Sequence, residues 1–166
     1  MDTTERDQLI EQYRDGYRAV AEALLRITPE ELDTRAAEDR WTAREVIHHL
    51  ADSEMAAALR LRMILAEDRP TFAPSDQNEY ARRLHYDRPH EASLELFRYA
   101  RETTAELLER MTPADWLREG VHTRSGSFGA ERWLQIYGPH AHKHARQIRT
   151  ARDAAVKAAE AAAQTK

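Results

Sequence analysis

No cysteine occurs among the 166 residues of the chain, which excludes disulfide scaffolds, cysteine nucleophiles and zinc–thiolate sites. Glycine and proline are scarce, with five and six copies, and this argues against a sheet of short strands joined by tight turns. No stretch approaches the ~18 apolar residues that a membrane-spanning helix needs. No basic segment followed by an apolar run opens the chain. We therefore expect a cytoplasmic protein with no membrane partner.

A surplus of positive charge is lacking as well. The chain carries 25 basic and 29 acidic side chains, and its formal net charge is −4. Because charges of both signs are interspersed, no basic stripe is available to neutralise the phosphates of a nucleic acid. We expect a small-molecule substrate and no nucleic-acid partner.

Apolar residues recur at helical spacing in four long segments, residues 5–27, 42–67, 89–111 and 127–148. Thr42 and Glu45 have the spacing of a capping box, which marks the start of the second long helix. Residues 76–84 predict a short crossover helix between the second and third, and residues 118–126 predict a polar loop. The expected fold is all-α, a four-helix bundle over residues 1–150. The Ala-rich segment 151–166 either extends the last helix or frays.

Histidine is abundant, with eight copies, and three of them fall where two helices face each other. His140 and His144 are four residues apart, so both rings lie on the apolar face of the last helix. His49 lies at the edge of the apolar face of the second helix, whereas His48 points about 160° away from its centre. Three imidazoles would hold one divalent ion and leave coordination positions open, as catalytic sites do. Without sulfur ligands, the candidates are zinc, nickel, iron and manganese. The alternative is that these rings are ordinary core or rim residues.

The remaining histidines support no second site. The four that lie in predicted loops or on outward helix faces are interpreted as solvated surface residues: His85, His90, His122 and His142. Glu45 and His48 have the Glu-x-x-His spacing of di-iron bundles, but those need two such motifs and two further glutamates. The only second match, Glu119 with His122, falls in a predicted loop. A mononuclear site is favoured.

These motifs carry a resemblance to a known family. Residues 41–54 read WTAREVIHHLADSE, and residues 140–148 read HAHKHARQI. Together they resemble the DinB/YfiT-like family of metal-binding four-helix bundles, over nearly the whole chain. The resemblance implies that His49, His140 and His144 are the metal ligands and that the protein is a homodimer. One departure is Gly138-Pro139 immediately before the first ligand of the last helix, where proline predicts a kink.

The resemblance also implies the activity. Relatives of this kind are described as metal-dependent hydrolases and as S-transferases that use low-molecular-weight thiols such as bacillithiol. In a hydrolase the nucleophile would be metal-bound water, with Glu54 transferring a proton or supporting a histidine from the rim. In a transferase the ion, zinc or nickel first among the candidates, would hold an external thiol as thiolate. The alternative to an enzyme is a non-catalytic binding or stress-response module with a structural or vestigial ion.

The same helix that carries His49 suggests where a homodimer would form. Met55, Leu59 and Met63 are predicted on the side of the second helix away from its core, and we expect them to be exposed. An exposed apolar stripe of this kind is typical of an interface between two copies of a chain.

Overall fold

The computed structural model describes residues 1–164. Four helices are long, and between them lie shorter helices and three short strands. In chain order the elements are α1 (Thr3–Ala23), α2 (Pro29–Asp33), α3 (Ala43–Ala66), β1 (Thr71–Phe72), α4 (Gln77–Arg83), α5 (Glu91–Leu108), α6 (Pro113–Trp116), β2 (Glu119–His122), β3 (Gly126–Gly129), α7 (Ala130–Tyr137) and α8 (His140–Gln164). The predicted four-helix bundle and the crossover helix α4 are confirmed.

Local sequence explains where several helices begin. Thr42 caps α3, because its side chain accepts a hydrogen bond from the Glu45 amide while the Glu45 carboxylate accepts one from the Thr42 amide. The same reciprocal hydrogen bonds join Thr28 to Glu31 at the start of α2 and Thr112 to Asp115 at the start of α6. A proline follows each threonine in the first turn. Asp76 caps α4 by accepting from two amides. The Thr42 cap fixes where α3 begins, and with it the position of His49 along that helix.

Long connections allow neighbouring helices of the bundle to run parallel. Ring atoms of His48 contact Ser93, and Arg62 contacts Thr104 further along both helices, so α3 and α5 point the same way. The same holds for α1 and α8, where the Gln12 carbonyl contacts His142 and the Ala23 carbonyl contacts Arg152. The crossover through α4 makes the first of these pairs possible, because a short hairpin loop can join only antiparallel neighbours.

The structure differs from the all-α prediction in one respect, a small three-stranded sheet. β1 pairs in parallel with β2, and β2 pairs antiparallel with β3 across a three-residue turn. The loop predicted at residues 118–126 is therefore largely strand. Phe72 and Phe128 from this sheet pack into the same core cluster as Trp133, which explains why such short strands are ordered.

The last predicted helix is broken, as the Gly138-Pro139 dipeptide indicated. α7 ends at Tyr137 and α8 begins at His140. Gly138 lies against α1: a Cβ there would be 2.9 Å from the Leu134 carbonyl and 3.2 Å from a methyl carbon of Leu9. A residue larger than glycine would push α7 away from α1 and change the direction in which His140 enters the bundle.

Some positions differ from the predicted pattern. Ile136 belongs to the helical apolar spacing of residues 127–148 but is exposed. Met63 was predicted to be exposed and is half-buried against the core, while Met55 and Leu59 are exposed as expected. The Ala-rich segment continues α8 to Gln164. It is buried at Ala151 and Ala155 and exposed from Val156 on. Residues 165 and 166 of the predicted tail lie outside the described residues. Within residues 1–164, no helix combines the length and apolar character needed to cross a membrane.

Candidate metal centre

The structure brings together the three histidines that the sequence singled out. His49 projects from α3, and His140 and His144 project from the first two turns of α8. One nitrogen of each ring lies within 4.8 Å of a nitrogen of the other two. The ring centroids are 4.5 Å apart for His140 and His144 and 4.7 Å apart for His49 and His144. The Trp41 ring packs against His49, with the ring centroids 4.8 Å apart.

A hydrogen bond to Gln147 indicates which nitrogen His144 offers. Nδ1 of His144 lies 2.9 Å from Oε1 of Gln147, so this nitrogen carries the proton and Nε2 has the free lone pair. Nε2 of His140 lies 3.2 Å from Nε2 of His144. Nδ1 of His140 is buried and has no partner within residues 1–164. Gln147, one turn after His144, therefore holds that ring in the form that binds a metal ion.

This donor set fits a divalent ion. Two nitrogens bound tetrahedrally to zinc at ~2.0–2.1 Å lie about 3.3 Å apart, close to the 3.2 Å between the Nε2 atoms of His140 and His144. One nitrogen of His49 lies within 4.8 Å of a nitrogen of each of these two rings. Three neutral imidazoles suit zinc, nickel, iron or manganese and leave coordination positions free.

Burial keeps all three rings neutral. Desolvation, together with the neighbouring His144 and Lys143, lowers the pKa of His49 to about 3. Desolvation and the neighbouring charges lower the pKa of His140 to about 2, and desolvation is the main cause that lowers the pKa of His144 to about 4. Since only an unprotonated imidazole binds a metal ion, the site is ready to bind one well below neutral pH.

These pKa values predict that the metal-free protein is labile to acid. The folded-state values lie below the ~6.5 of an unfolded histidine, so below that pH the unfolded chain binds protons that the folded chain does not. The free energy of unfolding is fully retained above pH ~6.5 and should fall by about 1.4 kcal/mol per pH unit for each ring as the pH drops toward 4. Urea unfolding in the presence of a chelator at pH 7 and pH 5 measures this slope. His140→Gln should reduce it, whereas His85→Ala, at an exposed position, should not. An equal stability at both pH values would contradict the prediction.

Glu54 occupies a different place from the one predicted. It is fully buried rather than at the rim, and its carboxylate is bound by two side chains from other helices. Oε1 accepts a hydrogen bond from the Tyr13 hydroxyl, and Oε2 lies 2.7 Å from Nη1 of Arg101. Arg101 is itself 1% exposed and also donates to the Tyr13 carbonyl at 2.6 Å. Among the described residues, no hydrogen bond joins Glu54 to a histidine of the site.

A second glycine makes this buried pair possible. A Cβ at Gly16 would lie 2.6 Å from Nη2 of Arg101 and 2.7 Å from the Cβ of Ala141. Only glycine leaves room at this point of α1 for both the guanidinium group and the start of α8, the helix that carries two of the three histidines.

Other histidines are more buried than predicted. His48, predicted to point outward, is 0% exposed because α5 and the preceding loop cover it. Its Nε2–H donates to the Arg88 carbonyl at 3.1 Å, and its Nδ1 lies 2.8 Å from the Ser93 hydroxyl. His142, predicted to be solvated, is half-buried and contacts the Gln12 carbonyl. These rings hold helices together and point away from the metal centre.

Two cavities meet at His140. The first, of about 320 Å³, is lined by residues that include Trp41, Lys143, His144 and Gln147, and we call it the lysine cavity. The second, of about 400 Å³, lies between α3, α4 and α7, and we call it the tyrosine cavity. Its lining includes His49, Asp52, Tyr80, Arg124, Tyr137 and His140.

The sequence prediction did not single out Asp52 as a residue of the site. It follows His49 by three residues, which puts both on one side of α3, so spacing alone was a usable signal. Oδ2 of Asp52 accepts a hydrogen bond from the Tyr86 hydroxyl at 2.7 Å. Burial, followed by this hydrogen bond, raises the pKa of Tyr86 well above its usual range, so the hydroxyl remains a donor. The carboxylate is thus held in place beside the metal centre.

Comparison with known proteins agrees with the geometry. The sequence profile described as "DinB superfamily" matches residues 10–148. A protein of Oceanobacillus iheyensis, named as a candidate metal-dependent hydrolase, is 34% identical over 86% of this chain and 83% of its own length. A protein of Bacillus mycoides with the same description is 26% identical over 89% of this chain and 85% of its own.

A solved structure shares the fold. YfiT from Bacillus subtilis, described as a probable metal-dependent hydrolase with an unusual four-helix-bundle topology, superimposes with a TM-score of 0.84. The alignment covers 91% of this chain and 87% of that one, at 25% sequence identity. The parallel neighbours and long crossovers described above are therefore shared with a solved bundle.

Proposed function

Because the chain belongs to the DinB superfamily and buries three neutral imidazoles at one point, we propose that it is a hydrolase that depends on one divalent metal ion. His49, His140 and His144 hold the ion, with zinc or nickel as the first candidates and iron or manganese as further ones. The observation that carries the proposal is the convergence of the three ring nitrogens beside a cavity of about 400 Å³. A small molecule fits a cavity of this size.

An ion at this site supplies Lewis acidity, which makes a water molecule acidic enough to act as a nucleophile near neutral pH. The protein supplies the rest. Gln147 holds the His144 ring in its metal-binding tautomer. The Trp41 ring packs against His49 and supports the orientation of that ring.

Asp52 is the side chain best placed to accept the proton of the nucleophile. It lines the tyrosine cavity together with His49 and His140. Its Oδ2 is fixed by Tyr86, and its Oδ1 has no hydrogen-bond partner within residues 1–164. Glu54, the residue predicted for this role, has both carboxylate oxygens bound within the core, so its support of the site is through packing of α1 and α5.

The test is metal-dependent hydrolysis. Protein made without a polyhistidine tag is analysed for metal by mass spectrometry, stripped with a chelator, reloaded, and assayed with a series of activated esters and amides. About one ion per chain, and hydrolysis that disappears with the ion and returns with it, would support the proposal. A well-folded protein that stays metal-free after reloading would overturn it and favour a non-catalytic binding module.

Replacing Asp52 by asparagine should separate metal binding from turnover. Asp52→Asn keeps the shape of the side chain and its contact with Tyr86 but cannot accept the proton, so kcat should fall by about 100-fold. Metal content should stay at the parent value because Asp52 is not a ligand. The matched control is Asp7→Asn, which removes an exposed carboxylate of α1 and should leave kcat unchanged. Equal loss of metal and of kcat in Asp52→Asn would contradict this role.

A transferase reaction is a second candidate function for the same site. The S-transferase interpretation uses the same ligands, with an external low-molecular-weight thiol in place of water, and the absence of cysteine is compatible with it. Assaying thiol consumption beside ester hydrolysis distinguishes the two reactions.

We also propose a homodimer with Met55 and Leu59 at the contact, since both are more than half exposed. Sedimentation of the parent and of Leu59→Glu tests this proposal.

A further inference from the structure

One of the tyrosines that line the tyrosine cavity, Tyr137, has an unusual set of contacts. Tyr137 is 7% exposed and packs with its ring against Trp133 and His140, at centroid distances of 5.0 and 5.9 Å. Its hydroxyl oxygen accepts a hydrogen bond of 3.1 Å from Nη1 of Arg60. No carbonyl, carboxylate or ring nitrogen within residues 1–164 accepts the proton of this hydroxyl.

Arg60 determines where the Tyr137 hydroxyl lies. Its Nη2 donates to the Ala73 carbonyl at 2.8 Å. The chain from Ser75 to Gln77 that follows Ala73 forms part of the cavity wall. Arg60 therefore joins the hydroxyl end of Tyr137 to that wall. A hydroxyl that accepts a hydrogen bond from a cation is a stronger donor, because its oxygen is polarised by the positive charge.

From these contacts we propose that Tyr137 donates a hydrogen bond to the substrate oxygen that becomes negatively charged during hydrolysis, and that Arg60 is its positioning residue. The proposal rests on the proposed function and adds the class of substrate, a neutral carbonyl compound such as an ester or amide. The cavity then has an acceptor, Asp52, and a donor, Tyr137, on different helices. The metal centre lies beside both, since His49 and His140 line the same cavity.

Asp52 and Tyr137 together account for the proton and the negative charge that arise when water adds to the carbonyl. The water oxygen forms a bond to the carbonyl carbon, its proton passes to Asp52, and the π electron pair of the carbonyl moves onto the carbonyl oxygen. Tyr137 keeps its proton and stabilises that oxygen by a hydrogen bond. When the electron pair on that oxygen forms the carbonyl again, the bond to the leaving group breaks, and the leaving group takes the proton from Asp52.

Tyr137→Phe tests the donor. The ring and its packing remain, while the hydroxyl is lost, so kcat for ester hydrolysis should fall about 100-fold or more, as for other single donors of this kind, with KM changed by less than about threefold. Arg60→Met, which keeps an unbranched side chain but removes the guanidinium, should lower kcat about tenfold, and Arg60→Lys should recover part of that loss. The matched control is Tyr99→Phe. Tyr99 also accepts a hydrogen bond from an arginine, Arg98, but lies on the exposed face of α5, and kcat should not change.

A binding measurement provides a readout that does not need turnover. Methylphosphonate resembles the tetrahedral, negatively charged species, and its affinity for the parent and Tyr137→Phe is measured by calorimetry on metal-loaded and on metal-free protein. We expect affinity for the loaded protein to fall at least about tenfold in the variant, at the same metal content. Equal affinities at equal metal content would overturn the role of Tyr137.

The outcomes separate the two proposals. A chain that takes up no metal overturns the proposed function, and the metal-free comparison of the two proteins still decides whether Tyr137 binds the anion. A chain that takes up metal but binds methylphosphonate equally well with and without the Tyr137 hydroxyl overturns the donor alone. A loss of kcat in Tyr99→Phe as large as in Tyr137→Phe would also overturn it.

Discussion

Arg101→Leu is expected to reduce the free energy of unfolding by about 3–5 kcal/mol. Arg101 is almost fully buried and pairs at 2.7 Å with Glu54, which is 0% exposed. Its guanidinium group also lies 3.8 Å from the centre of the Tyr13 ring and donates to the Tyr13 carbonyl. Without Arg101, Glu54 would be a buried carboxylate with only the Tyr13 hydroxyl as partner. Removing one member of such a pair is far more costly than replacing both.

Urea unfolding of metal-free protein, followed by circular dichroism, measures this loss without a contribution from metal binding. Arg98→Leu is the matched control, because Arg98 pairs with Glu95 and Glu102 on the more exposed side of the same helix. Pairs of that kind contribute less than about 1 kcal/mol. The double variant Arg101→Leu with Glu54→Leu should recover much of the stability. A loss below about 1 kcal/mol in Arg101→Leu alone would show that the buried pair does not stabilise the bundle.

His140→Ala is expected to weaken metal binding at least 100-fold, to the point where purified protein contains almost no metal. With His140 gone, the remaining two rings provide half of a tetrahedral site, and the ion would need two further ligands from solvent. We expect only a small change in the stability of metal-free protein. Nδ1 of His140 is buried and makes no hydrogen bond within residues 1–164, so removing the ring also removes an unpaired polar atom from the interior.

His142→Ala is the control for this variant. It removes a histidine from the same turn of α8, but that ring contacts the Gln12 carbonyl on α1 instead of the metal centre. Its metal content should equal that of the parent. Metal analysis of the three proteins, together with competition against a chelator of known affinity, gives the ratio of dissociation constants. An unchanged metal content in His140→Ala would mean that the ion binds elsewhere.

Much of this site was accessible from the sequence, because its three histidines lie on helices. A helix fixes the relative direction of side chains from their spacing alone, so His140 and His144 could be placed on one face and His49 opposite them. The start of α3 was predictable for the same reason, since Thr42 and Glu45 interact within a single turn.

Features that depend on partners distant in the chain were not accessible. Glu54 was predicted at the rim, because nothing local indicates that Arg101 on α5 and Tyr13 on α1 would meet it in the core. His48 was predicted to be outward because helical periodicity does not show that α5 packs against a second side of α3. The sheet was missed because strands of two and four residues carry too few side chains to show an alternating pattern.

The parallel pairing of α1 with α8 has a consequence for the order in which the three histidines come together. The contact between Gln12 and His142 joins residues 130 positions apart, and the contact between Ala23 and Arg152 joins residues 129 apart. Bundles rich in such distant contacts fold more slowly than those built from consecutive hairpins, because large loops must close first. During synthesis, α3 leaves the ribosome long before α8 is complete, so His49 waits for two partners that arrive with the last helix. The three rings can therefore converge only after α8 has packed against α1 and α3.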